Sequence, residues 1–138
     1  MKEYLEFAVS IARYAGEVMN KYFFGDGNIV EYKSDKTPVT YVDKAINRYL
    51  IEQVKNKYPN HSVEGEEESY KGKSSFVWVC DPLDGTSMYT RHVPVSVFSL
   101  ALVLDGEVMV GVVYDPFLDE MYTAIRGEGA YCNGKPID

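Results

Sequence analysis

The amino-acid sequence predicts an α+β fold, two N-terminal helices packed on a mainly antiparallel sheet. Three observations carry that prediction. Apolar residues recur at helical spacing in the first part of the chain. Farther on, β-branched and aromatic runs replace that spacing. Tight-turn dipeptides join those runs directly, which favours hairpins over strand–helix–strand crossovers.

The elements follow in order. From about Lys2 to Phe24, Leu5, Ala8, Ala12, Ala15, Val18 or Met19, and Tyr22 mark one helical face, and Gly25-Asp26-Gly27-Asn28 punctuates its end. A short extended piece, Ile29 to Lys33, leads to a turn at Ser34-Asp35-Lys36-Thr37-Pro38. The second helix opens at Thr40, with Asp43 three residues on as an approximate capping box. Its buried stripe is Val42, Ile46, Tyr49 or Leu50, and Val54, and Pro59 lies just beyond its end. Strands are expected at Phe76–Cys80, Val95–Leu104, Glu107–Tyr114 and Leu118–Ala124. Asp105-Gly106 and Asn133-Gly134 read as hairpin turns.

Composition narrows the function classes. A chain of 138 residues with 46% hydrophobic and 25% charged residues has the size and make-up of one globular domain, residues 1–138. Its longest apolar runs, such as Leu100 to Leu104, are too short to cross a bilayer, and the N-terminus lacks the pattern of a signal peptide. Cys80 and Cys132 form no C-x-x-C pair, which suggests reduced thiols and a cytoplasmic location. A net charge of −7 argues against nucleic-acid and anionic-membrane partners. It is compatible with a small phosphorylated substrate where metal ions supply positive charge.

Two acidic clusters stand out: Val63-Glu64-Gly65-Glu66-Glu67-Glu68 and Asp81-Pro82-Leu83-Asp84. A glutamate-rich loop alone is usually solvated surface, and Asp-Pro and Asp-Gly alone are common turn dipeptides. Asp43 alone could simply cap its helix. Their combination points further, because hard cations such as Mg²⁺ take oxygen ligands and bridge carboxylates to phosphates. The Leu83 carbonyl could join such a set, which would explain an apolar side chain between two aspartates. Gly85 permits close backbone approach, and Thr86 offers a hydroxyl at a helix start whose N–H groups suit an anion.

Spacing separates the rival motifs. Pro82-Leu83 breaks the alternation of an EF-hand loop, and the Gly-Lys-Ser/Thr of a Walker loop is absent. The D-x-D-G-T of haloacid-dehalogenase-type phosphatases, where the first aspartate is the nucleophile, comes nearer. Here one extra residue separates the aspartates, and two helices precede the strand.

Asp81-Pro82-Leu83-Asp84-Gly85-Thr86, preceded by Gly65-Glu66-Glu67 and by Pro38-Val39-Thr40-Tyr41-Val42-Asp43, resembles the inositol monophosphatase family. That family belongs to the lithium-sensitive, Mg²⁺-dependent phosphatases that include fructose-1,6-bisphosphatases. Gly111 to Pro116 and Gly127 to Gly134 resemble its later strands. The resemblance implies the first half of an αβαβα sugar-phosphatase fold and a phosphomonoesterase working with two or three Mg²⁺ ions. It places Glu66, Asp81 and the Leu83 carbonyl on a first metal and Asp81 and Asp84 on a second. The amides of Gly85 and Thr86 would hold phosphate oxygens. Asp43 and the Thr86 hydroxyl would activate the attacking water, with Glu67 as a supporting carboxylate.

Met88 stands where members commonly place an asparagine. Family chains are roughly twice as long, and their later half carries a W-D aspartate for the second metal and most substrate contacts. The expectation is therefore an N-terminal metal- and phosphate-binding domain without the C-terminal half, working as a homodimer or with the missing half as partner. Histidinol-phosphatase, 3′-nucleotidase and fructose-1,6-bisphosphatase activities are alternatives on the same fold, and a non-catalytic half is another.

Overall fold

The computed structural model describes residues 1–25, 30–32 and 38–138. Helix α1 spans Lys2–Phe23 and buries Phe7, Ala8, Ile11, Ala12, Ala15, Met19 and Phe23. The expected alanines are there, but Leu5 and Tyr22 at the flanks are only half-buried. The small alanines let the helix come close to the sheet, and the bulky Phe7, Ile11 and Phe23 beside them fill the space. Gly16 belongs to the same contact, since a Cβ there would lie 2.3 Å from the Tyr114 ring.

Two short strands, β1 (Val30–Tyr32) and β2 (Pro38–Thr40), pair antiparallel with Val30 opposite Thr40. Most of the turn expected at residues 34–38, and residues 26–29, lie outside the described residues. Helix α2 (Tyr41–Lys57) starts at Thr40 as expected, with both arms of the capping box formed with Asp43. It buries Val42, Ile46, Leu50, Ile51 and Val54, and also the polar Asp43 and Asn47. Tyr49 instead stacks on Tyr14 of α1, with ring centroids 3.6 Å apart.

The remaining strands are β3 (Ser62–Gly65), β4 (Ser69–Tyr70), β5 (Phe76–Asp84), β6 (Val97–Leu104), β7 (Glu107–Asp115), β8 (Glu120–Ile125), β9 (Ala130–Cys132) and β10 (Lys135–Pro136). They form one sheet in the order β10-β9-β8-β7-β6-β5-β3-β4. Every pair is antiparallel except β3 with β5. Asp105-Gly106 and Asn133-Gly134 turn with positive φ at both residues, as type I′ hairpins require.

Several boundaries differ from expectation, β6 beginning at Val97 rather than Val95 and β7 running one residue further to Asp115. Strand β5 does not end at Cys80: Asp81 still pairs with Ser99, a bulge follows, and Asp84 pairs with Val97. The bulge accommodates Pro82, which has no N–H to donate to a ladder. Strand β8 begins at Glu120 rather than Leu118, because Asp115 Oδ1 accepts from the amides of Phe117 and Leu118 and holds a turn there. The acidic run, expected as a loop, holds most of β3 and leads into β4. In β3 only Val63 is apolar and buried, so no alternation betrayed the strand.

Both helices lie on one face of the sheet, α1 over β6, β7 and β8 and α2 over β5 and β3. Trp78, Phe98, Leu100, Leu102, Val110 and Val112 form the core beneath them. The opposite face carries a row of mostly small residues in register, Val79, Ala101, Gly111, Ala124 and Ala130. Both cysteines are free thiols. Among the described residues no helix is long and apolar enough to cross a membrane.

Candidate active site at the ends of two parallel strands

The site begins with strand register. Gly65 of β3 pairs with Cys80 of β5 in the parallel ladder, so the next residue on each strand, Glu66 and Asp81, emerges at the same level. Their carboxyl groups come close enough to share a hydrogen bond, and the charge of Asp84 also reaches Asp81. Burial is the largest influence on Asp81, and Glu66 and Asp84 add to it, pushing its pKa up to about 7. A backbone hydrogen bond at Leu83 pulls the other way. Asp81 Oδ1 is buried and has no hydrogen-bond partner among the described residues. The adjacent Cys80 thiol is pushed far above its ordinary range, first by burial and then by Asp81 and Glu66.

Leu83 proves to be a core residue, with only 1% of its surface exposed. Its side chain therefore has its own reason to be apolar, and only its carbonyl faces the site. That carbonyl accepts from Thr86 Oγ1 at 2.9 Å, and Asp43 Oδ1 lies 3.1 Å from the same hydroxyl. One hydroxyl proton thus has two acceptors.

Asp43 is held from its other side. Its Oδ2 accepts from the Thr40 amide at 2.8 Å and from the Thr40 hydroxyl at 2.6 Å, which leaves Oδ1 aimed at Thr86. The capping box is therefore also an orienting device. Burial raises the Asp43 pKa most, the Thr40 and Thr86 hydrogen bonds oppose it, and the Glu67 charge adds to it.

Gly85 links β5 to helix α3 (Thr86–Thr90) with φ 86°, a left-handed conformation that favours glycine. Its carbonyl accepts from the Tyr89 amide at 3.0 Å and from the hydroxyl of buried Ser96 at 2.9 Å. Buried Tyr89 donates its hydroxyl to the Met19 carbonyl at 2.8 Å, tying α3 to α1. Met88 is exposed.

Glu66, Glu67 and Glu68 form the turn between β3 and β4. Asn47 meets this turn from α2, and sequence reasoning missed it. Its Oδ1 accepts from the amides of Glu67 at 3.0 Å and Glu68 at 3.3 Å, and its Nδ2 donates to the Glu68 carbonyl at 3.0 Å. The available signal was a polar residue inside the buried stripe of α2, one helical turn after Asp43. Arg48 adds an exposed ion pair to Glu68 at 3.1 Å.

The fold thus gathers Glu66, Asp81 and Asp84 in one group and Asp43, Thr86 and the Leu83 carbonyl in another, with Glu67 near Asp43. Among the described residues no three His, Cys, Asp or Glu side chains form a ready-made metal cage. The donors are nonetheless hard oxygens. Among the described residues they include one buried carboxylate oxygen without a partner, on Asp81, whose ionisation is opposed first by burial and then by its acidic neighbours. A divalent cation would relieve both conditions, so these residues fit one.

Comparison with known proteins identifies the family and the fold. The model of the inositol monophosphatase family matches residues 1–138. Inositol monophosphatase 1 of Bos taurus is 35% identical over 141 residues, covering 99% of this chain and 51% of the relative. Inositol monophosphatase 1 of Solanum lycopersicum is 37% identical, with 99% and 52% covered. The solved structure of the Thermotoga maritima IMPase superposes with a TM-score of 0.87 at 32% identity, over 98% of this chain and 53% of that one. The chain spans about half the length of the curated relatives it matches.

Proposed function

The chain belongs to the inositol monophosphatase family, and from that premise we propose that it forms the metal- and phosphate-binding part of a Mg²⁺-dependent phosphomonoesterase acting on a sugar or polyol phosphate. The observation that carries the reading is the meeting of two parallel strand ends, which sets Glu66 against a half-buried Asp81, its Oδ1 sealed from solvent, beside the Thr86–Asp43 hydrogen bond. Glu66, Asp81 and the Leu83 carbonyl would hold one ion, and Asp81 and Asp84 a second, out of two or three in all. When bound, such ions supply positive charge that offsets the phosphate and makes a water more acidic.

The chain's own residues do the rest. The amides of Gly85 and Thr86 hold phosphate oxygens, with the Gly85 carbonyl fixed out of the way by Ser96 and Tyr89. Thr86 Oγ1 accepts a proton from the attacking water and passes its own to Asp43 Oδ1, 3.1 Å away. Burial makes Asp43 a stronger proton acceptor than an ordinary aspartate. Glu67 supports that carboxylate electrostatically. The water attacks phosphorus directly as the bond to the sugar or polyol oxygen breaks, and that oxygen leaves as the alcohol with a proton taken from solvent, so no aspartyl-phosphate forms.

Phosphate release from an inositol monophosphate, with and without Mg²⁺, tests this. Release should require the metal and be abolished by Asp84→Asn, and undiminished turnover by that variant would reject the assigned roles. The half-length match favours a second reading, in which these residues turn over substrate only together with further polypeptide. Metal-dependent release by the 138-residue chain alone would reject that one.

A further inference from the structure

We propose that Asn47 is the positioning residue that holds the Glu66–Glu67 turn in its metal-binding geometry, an inference that rests on the metal-site reading above. The turn is a concentration of like charge. Glu66, Glu67 and Glu68 follow one another, with Asp81, Asp84 and Asp43 around them. Repulsion would open such a turn before any cation arrives. Arg48 counters it only from the surface, at Glu68.

Asn47 counters it from within and without charge. It is fully buried, and its amide spans two N–H groups and one carbonyl of the turn. These are backbone bonds, so they fix where Glu66 and Glu67 leave the chain rather than competing for their carboxylates. Gly65 makes the fit close: a Cβ there would lie 2.3 Å from Asn47 Oδ1 and 2.3 Å from the Glu68 carbonyl. Asn47 also sits one helical turn beyond Asp43 on the same buried face of α2. The helix therefore carries both the proton acceptor and the clamp on the metal-binding turn, and it sets their separation.

A merely structural asparagine would lower stability and leave affinity intact. A positioning one lowers affinity beyond any change in melting temperature. The test is Mn²⁺ binding to the 138-residue chain, read by the loss of the free-ion electron paramagnetic resonance signal, in wild type, Asn47→Ala, Asn47→Ser and Arg48→Ala. Serine keeps a polar group in the helix but cannot reach both amides, and it serves if the alanine variant does not fold. The expected result is a Kd weakened by about tenfold or more in the Asn47 variants, the size seen when groups behind metal ligands are removed. Arg48→Ala should stay within about twofold, since exposed ion pairs contribute little. Folded Asn47 variants with wild-type affinity would overturn the proposal. If wild type itself binds no Mn²⁺, the metal-site reading fails, and amide exchange at Glu67 and Glu68 then reads the clamp alone. Exchange at those amides no faster in Asn47→Ser than in wild type would overturn it.

Discussion

Glu66 and Asp81 leave neighbouring parallel strands at the same level, because Gly65 and Cys80 are register partners in the only parallel pair of the sheet among the described residues. Strand pairing thus brings two like charges together and half-buries one of them, at a cost that a cation would offset.

That cost has a pH signature. The folded-state pKa of Asp81 is raised to about 7, whereas an unfolded aspartate titrates near 3.8. A raised carboxyl binds its proton more tightly when folded, so its contribution to stability is fully present below the unfolded value and is lost as pH rises through the folded one. Without metal, Asp81→Asn should therefore be more stable than wild type at about pH 8, and the difference should shrink toward about pH 4. Thermal melts of both proteins across that range check it. Added Mg²⁺ should raise the wild-type melting temperature more at the alkaline end.

Thr86→Val removes the hydroxyl that Asp43 and the Leu83 carbonyl share. Phosphate release should fall by about 10²-fold or more with little change in the Mg²⁺ needed for half-maximal rate. Thr86→Ser keeps the hydroxyl and should retain most of the rate. Steady-state kinetics of the two variants check the contrast.

Gly65→Ala pushes a methyl group into Asn47 and the Glu68 carbonyl. Backbone cannot retreat as a flexible side chain would, so the substitution should destabilise by about 1–3 kcal/mol. Denaturant unfolding measures this directly.

His61 gives a pH effect of opposite sign. Its ring is stacked between Tyr58 and Phe76, and its Nδ1 accepts from the indole N–H of Trp78 at 3.0 Å. Burial lowers its pKa below the ordinary 6.5. The unfolded state then takes up a proton first, so stability from this site is lost as pH falls from about 6.5 through the folded value. Trp78 is the only tryptophan in the sequence, and its fluorescence reports the loss. His61→Gln should lack this component of the acid response.

Much of this was legible in the residues. Helical spacing and the Thr40–Asp43 box located α2, and the Asp-Gly and Asn-Gly turns located two hairpins. Asp81, Asp84 and Thr86 announced themselves by chemical type and order. What stayed hidden was contact between distant segments. Strand β3 has one buried apolar residue, and its parallel partner lies beyond an intervening strand, so no local pattern revealed the register that joins Glu66 to Asp81. The position of Leu83 between two aspartates points to its carbonyl, while the core also claims its side chain. Asn47 looked like an ordinary polar residue on a helix, because its partners are backbone groups that no side-chain pattern displays.

The most direct test of the paired strand ends is calorimetric titration of the 138-residue chain with Mg²⁺ at about pH 7, in two buffers that differ in ionisation enthalpy. Saturable binding should release protons, because the metal displaces the proton that Asp81 holds near that pH, and Asp81→Asn should lose both the binding and the release. Wild type that binds no Mg²⁺, or Asp81→Asn that binds it as tightly and with the same proton release, would contradict the assignment of Glu66 and Asp81 as a metal-binding pair.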